Sequence, residues 1–295
     1  MGSAILFGIN GQDGYYLSRL LAQNGISITG ISRTKGDWVT GDVSDKNFVE
    51  QLIKELQPAY IFHLAANSKT AHELVYEHQS TIVNGSMHIL ESVYKHSPRS
   101  RVFITGSGLQ FDNNGSPVSE HSVFEARDAY SLARIQSVYA ARYYRYKGLK
   151  VYVGYLFHHD SPLRSSVHLN KKIADAAIAA RDGKAYSLTI GDISVEKEFG
   201  FAGDIAKGIF HLVNQDHISE ACIGTGKAYS IERWLELCFS LVGKNWKEYI
   251  QTGTNYKSEF TKLVSDSALL QSSGWKPMVT IEELADMMVN PVETH

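Results

Sequence analysis

The chain predicts an α/β protein built on a doubly wound parallel sheet, with a smaller α/β domain interleaved with it. Three observations carry this expectation. Short apolar runs alternate with segments of helical period as far as about residue 157, a glycine-rich turn joins the first run to the first helix, and the alternation then stops. Parallel strands need crossover connections, so such a rhythm implies right-handed βαβ units with helices on both faces of one sheet.

The elements follow in order. "SAILFGI" reads as an apolar strand, and "YYLSRLLAQNG" has helical spacing with a glycine stop. "ISITGISR" is the second strand and "NFVEQLIKELQP" a helix ended by proline. Then come the strand "YIFHLAA", the helix "TIVNGSMHILESVYKH" and the strand "RVFITGS". The helix "AYSLARIQSVYAARYYRYKG" leads into the strand "KVYVGYLF". Residues 1–157 therefore form the first domain. A polar loop, a helix and a short strand follow, without the rhythm, before "FAGDIAKGIFHLVNQ" and "EACIGTG" supply a helix and strand within 199–226 that rejoin the sheet. Residues 158–198 and 227–295 are left for the smaller domain.

Composition narrows the function classes. With 295 residues, 43% of them hydrophobic, and a net charge of −2, the chain suits a globular protein with a full core and offers no basic field for nucleic acid. No apolar run approaches the ~18 residues of a membrane span, and the start lacks a secretory pattern, so a cytoplasmic protein without a membrane partner is expected. Cys222 and Cys238 are too few for a disulfide framework. His158 and His159 are the only adjacent histidines and would point to opposite faces of a strand, so no metal is expected.

In "FGINGQDGYYL", Gly8, Gly11 and Gly14 stand between a strand and a helix. That spacing suits a tight turn whose backbone approaches a pyrophosphate at the helix N-terminus. The second strand ends at Arg33 and Lys35 with no carboxylate, which favours the 2′-phosphate of NADP; NAD is the alternative. Farther on, Tyr130 and Arg134 lie one helical turn apart and can face one ligand.

The segments "GINGQDGYYL", "TGDVSD", "FHLAA", "ITGSGLQF" and "YSLAR", in this order, resemble the extended short-chain dehydrogenase/reductase family, whose core is a Rossmann-type sheet. Within it the chain is most similar to the GDP-mannose 4,6-dehydratases and GDP-4-keto-6-deoxymannose reductases, with "GYLFHHDSP", "IGDISVEKEF" and "SSGWKP" extending the likeness over nearly the whole length. The resemblance implies that Asp42 and Val43 flank the adenine and that Leu64, Ala65 and Ala66 follow the cofactor's phosphates and ribose. Gln12, Asp13 and Phe157 count with these cofactor positions. Ser107 takes the place of the catalytic hydroxyl, unless the register slips by one and puts Gly106 there. Tyr130 is the family's proton carrier. Arg134 stands where a lysine is usual, meeting the need for a cation without lysine's compact geometry.

A dehydratase also needs an acid two positions after the catalytic hydroxyl. Leu109 stands there, or Gly108 in the slipped register; Asp112 or Glu120 could be recruited instead. For the substrate, His158 replaces the family's asparagine, Arg164, Lys171 and Lys172 keep cations for a diphosphate, Lys197 replaces an arginine with Glu198 beside it, and Tyr256 stands where another arginine is usual. The resulting expectation is NADP-dependent reduction of a GDP-linked 4-keto-6-deoxy sugar by a homodimer. The alternatives are a GDP-sugar 4,6-dehydratase or epimerase, and a silent protein that binds dinucleotide and sugar nucleotide.

Overall fold

The structure, a computed structural model, describes residues 2–253, 258 and 260–291. Its first part contains β1 (Ser3–Phe7), α1 (Gln12–Gln23), β2 (Ser27–Ser32), β3 (Val39–Thr40), α2 (Lys46–Leu56), β4 (Tyr60–His63), α3 (Val75–His78), α4 (Gly85–His96), β5 (Arg101–Ser107), α5 (Ala129–Tyr146) and β6 (Lys150–Leu156). There follow β7 (His159–Asp160), α6 (Leu169–Arg181), β8 (Leu188–Ile190), β9 (Glu196–Glu198), β10 (Gly200–Phe201), α7 (Ala202–Val213) and β11 (Glu220–Ile223). The rest holds β12 (Ala228–Ser230), α8 (Ile231–Ser240), β13 (Ile250–Thr252), β14 (Lys262–Leu263), α9 (Ala268–Ser272) and α10 (Ile281–Val289).

Seven strands form one parallel sheet in the order β11-β6-β5-β4-β1-β2-β3. The chain runs outward from β1 in one direction and then returns to build outward from β4 in the other, so the direction of winding reverses between β1 and β4. Side chains alternate across a strand. Accordingly Ile5 and Phe7 pack with Val49, Ile89 and Val138 of α2, α4 and α5, whereas Ala4 and Leu6 pack with Leu17 and Ile209 of α1 and α7. Both faces of β1 are buried, which is why its sequence reads as an unbroken apolar run.

Local chemistry sets the helix starts. Asp45 caps α2 by accepting from the Asn47 and Phe48 amides, and Asp128 caps α5 in a reciprocal pair with Ser131. α1 begins at Gln12, ahead of the apolar periodicity, because the glycine turn itself supplies its first residues. The helix expected from Thr81 differs too: residues Gln79–Asn84 form a π-helical turn before α4. There a ring nitrogen of His63 meets the Thr81 carbonyl at 3.1 Å and the Ser86 hydroxyl takes the Ile82 carbonyl at 2.6 Å, side-chain contacts that compete with an α ladder.

A third core lies between α6, α8 and α10, where Ile173, Trp234 and Leu284 are fully buried and Phe199 stacks on Trp234 at 4.9 Å. Buried Glu198 ties β9 to the turn after β11, accepting from the Ser265 amide at 2.6 Å and the Thr225 hydroxyl at 3.1 Å. Cys222 in β11 and Cys238 in α8 are free and fully buried, and burial pushes both thiols up. No described helix is long and apolar enough to cross a membrane.

Candidate active site

At the carboxyl ends of the central strands, where the strand order reverses, lies a cleft of about 560 Å³ lined by residues of β5, β6, α1 and α5 and of the segments that follow β1 and β4. A second cavity of about 240 Å³ adjoins it toward β2, sharing Gly8, Gly11 and Leu64 with it. Open α/β sheets form ligand crevices at this position.

The three glycines of the first turn have different reasons to be there. Gly8 has φ +93°, and a Cβ on it would stand 2.8 Å from the Ala65 amide nitrogen. A Cβ on Gly14 would stand 2.3 Å from the Gly8 carbonyl oxygen. The fold itself demands both. Gly11 meets only that same carbonyl, at 3.5 Å, an ordinary contact. Its missing side chain instead keeps the approach to the N-terminus of α1 open, which fits a pyrophosphate held against the backbone.

Ser107, Tyr130 and Arg134 all line the larger cleft. Ser107 ends β5. Its Oγ accepts from the Leu109 amide at 3.2 Å while its own amide donates to Gln110 at 2.8 Å. This fixes the side chain and leaves the hydroxyl proton for another acceptor. Gly106, the alternative position, is packed against Tyr155, which a Cβ would meet at 2.6 Å. Tyr130 is held by Ile82, Ala133 and an edge contact with His78 at 5.6 Å, and its hydroxyl has no partner among the described residues. Arg134 is only 3% exposed. It donates to the Thr105 carbonyl at 2.7 Å and lies 5.0 Å over the Tyr130 ring, while its Nε has no partner among the described residues. Nearby His63 is held neutral, lowered to about 3 by burial and by the Arg134 charge.

The opposite end of the cleft is cationic. His159 places one ring nitrogen 2.8 Å from the Asp13 carboxylate and the other 2.7 Å from the Phe157 carbonyl oxygen. Only a doubly protonated ring satisfies both. Burial opposes its charge, but Asp13 outweighs burial and raises the pKa. Arg164 pairs with Asp160 at 3.2 Å, and Asp160 also accepts from Asn170 at 2.6 Å. Burial, only partly opposed by Asp160, brings Lys197 down to about 8. His168 falls to about 4 and His158 well below its ordinary value, chiefly by burial and then by neighbouring cations. Two neutral imidazoles therefore sit among three cations in a pocket suited to an anion.

Of the expected positions, Gly8, Gly11, Gln12, Asp13, Gly14, Leu64, Ala66 and Phe157 line the larger cleft, as do His158, Arg164 and Lys197. Arg33, Asp42, Val43 and Ala65 line the smaller cavity. Lys171 and Lys172 line neither, a departure from the expectation; Lys171 faces Asp175 one turn along its own helix. Leu109 lines the cleft, whereas Asp112 pairs with Arg127 at 2.9 Å and neither it nor Glu120 reaches the lining. The carboxylates among the lining residues are Asp13 and Asp160, both engaged as above. Tyr256 lies outside the described residues. His159, Asp160, His168 and Asn170 also line the cleft without a site signature of their own in the sequence, except that the first two fall in the "HHDSP" segment.

A family model described as GDP-mannose 4,6 dehydratase matches residues 5–288. GDP-mannose 4,6 dehydratase 1 of Arabidopsis thaliana is 27% identical over 319 residues, covering 97% of this chain and 88% of the relative. The fold resembles that of dTDP-glucose 4,6-dehydratase from Bacillus anthracis in complex with NAD, with TM-score 0.85, 19% identity and coverage of 98% and 96% of the two chains. It also resembles RMD from Pseudomonas aeruginosa complexed with NADPH, with TM-score 0.83, 18% identity and coverage of 98% and 96%. By the extent of the family match and the shared fold, the chain belongs to the GDP-mannose 4,6-dehydratase family of extended short-chain dehydrogenases/reductases.

Proposed function

We propose that the protein is a nicotinamide-dependent oxidoreductase acting on a nucleotide-linked hexose, with GDP as the nucleotide. One observation carries this: the hydroxyls of Ser107 and Tyr130, each with a proton to give, line the same cleft as the glycine turn and the Arg164–Lys197 end. The names of the relatives support GDP and the sugar. Gly8, Gly11 and Gly14 would hold the dinucleotide's pyrophosphate over α1, Asp42 and Val43 its adenine, and Arg134 its nicotinamide ribose. Such a cofactor gives or takes a hydride at a sugar carbon. Ser107 donates to the sugar oxygen and Tyr130 gives or takes its proton, while Arg164 and Lys197 hold the diphosphate.

The comparisons weigh toward a 4,6-dehydratase rather than the reductase expected from sequence. A specific observation keeps the reductase as a second reading: elimination needs a group to move a proton at the carbon next to the ketone, and Leu109 cannot do so. Incubation with GDP-mannose and NADP, and separately with the GDP-4-keto-6-deoxy sugar and NADPH, separates the two. A GDP-4-keto-6-deoxy product means dehydratase, whereas NADPH consumption with that keto sugar and no reaction with GDP-mannose means reductase. Inertness to both, with dinucleotide binding intact, sinks the enzymatic reading. The exposed Met87, Tyr94, Leu132, Tyr139 and Tyr143 on α4 and α5 support a homodimer through this face.

A further inference from the structure

Arg33 follows β2 at the edge of the smaller cavity and is the residue from which a preference for NADP is read. Its Nη2 lies 3.5 Å from Oε1 of Glu77, which belongs to α3, a different element. Asn67, in the segment between β4 and α3, donates to the other Glu77 oxygen at 3.4 Å. The loop carrying Arg33 is pinned around Thr34, whose carbonyl accepts from the Trp38 indole at 2.7 Å and whose hydroxyl lies 3.1 Å from that of Ser32. The backbone of Arg33 is thus placed, while its side chain, 58% exposed, can exchange partners.

We infer that Glu77 sets the choice between NADP and NAD by competing for Arg33, an inference that rests on the dinucleotide reading above. A 2′-phosphate carries about −1.5 to −2 charge at neutral pH, so it draws Arg33 away from Glu77 and is then repelled by the carboxylate left beside it. A free ribose 2′-hydroxyl needs an acceptor instead. Where β2 ends in a carboxylate, that residue supplies it; here a cation follows β2, and Glu77, which lines neither cavity, acts on the site by holding Arg33. Arg33 therefore favours NADP, and Glu77 blunts the discrimination that Arg33 alone would impose.

Titration of the full-length protein with NADPH and NADH, followed by nicotinamide fluorescence, tests this. The wild type should bind both. Glu77→Gln should raise the ratio of NADPH to NADH affinity about fivefold, the scale of one exposed ion pair. Arg33→Gln should lower the ratio below the wild-type value. Both residues are partly exposed, and melting temperatures should stay at the wild-type value. Equal shifts for the two cofactors in Glu77→Gln, or none, overturn the inference alone. If the wild type binds neither cofactor, the dinucleotide reading falls and takes the inference with it.

Discussion

Helix α5 carries Arg134 near its start and Arg142 and Arg145 near its end, and the two ends treat charge differently. At the far end Arg142 and Arg145 close on Glu220 of the edge strand β11, with contacts of 2.7 and 2.8 Å, and the Tyr155 hydroxyl adds another at 2.6 Å. Although burial works against ionisation, these donors pull Glu220 down to about 2. At the near end Arg134 is almost wholly buried, yet among the described residues it has one carbonyl partner and no carboxylate. Where charge holds a strand to a helix, the protein supplies the counter-charge, even though Arg145 Nη2 has no partner among the described residues. Where charge faces the cleft, completion is left to whatever binds there, since a buried cation with so few partners is costly by itself.

Breaking the Glu220 network should have the largest effect. Glu220→Gln should cost about 3 kcal/mol of stability at neutral pH, in proportion to the depressed pKa, with little change in dinucleotide binding. The sign follows from that depression: the contribution is present above the ordinary glutamate value of 4.5 and fades as pH falls toward about 2. Denaturant unfolding between pH 7 and pH 3 should show wild type and variant converging. Parallel curves would mean that the cluster stores no such energy.

The ligand side should answer to pH in the opposite range. Lys197 is charged below about 8, so its attraction for an anion fades as pH rises through that value. Affinity for GDP, measured by calorimetry, should fall by up to about tenfold per pH unit above it, and Lys197→Arg should flatten the profile. A wild-type affinity constant from pH 7 to 9 would remove Lys197 from the site. The smallest effect is the sharpest test of the contrast. Arg134→Met should stabilise the protein without ligand by about 1 kcal/mol while reducing any rise in melting temperature on adding a nicotinamide dinucleotide. Destabilisation on the scale of Glu220→Gln would make Arg134 a fold residue like its neighbours.

The sheet was legible because buried parallel strands leave unbroken apolar runs such as Ala4–Phe7, and the first turn because its glycines stand at a fixed spacing between strand and helix, Gly14 being demanded by contacts within the turn itself. Ser107, Tyr130 and Arg134 could be singled out by local spacing and family likeness. Features set by distant partners were not. The Asp13–His159 pair joins residues 146 apart, and Glu77 reaches Arg33 from an element with no sequence signature of its own. Lys171 and Lys197 look alike as cations in a polar stretch, yet α6 turns one toward Asp175 and β9 carries the other into the cleft. The π-helical turn escapes periodicity because its side-chain donors include His63, which arrives from β4.

The burial of both cysteines makes the native protein nearly silent to thiol reagents. One cysteine introduced at an exposed position would then be the dominant site of labelling. Tyr76→Cys, at a position 84% exposed and adjacent to Glu77, would put a fluorophore beside the Arg33 contact without disturbing the core. The emission of that dye would report in real time, and separately for each cofactor, whether the contact opens before the dinucleotide arrives or after it.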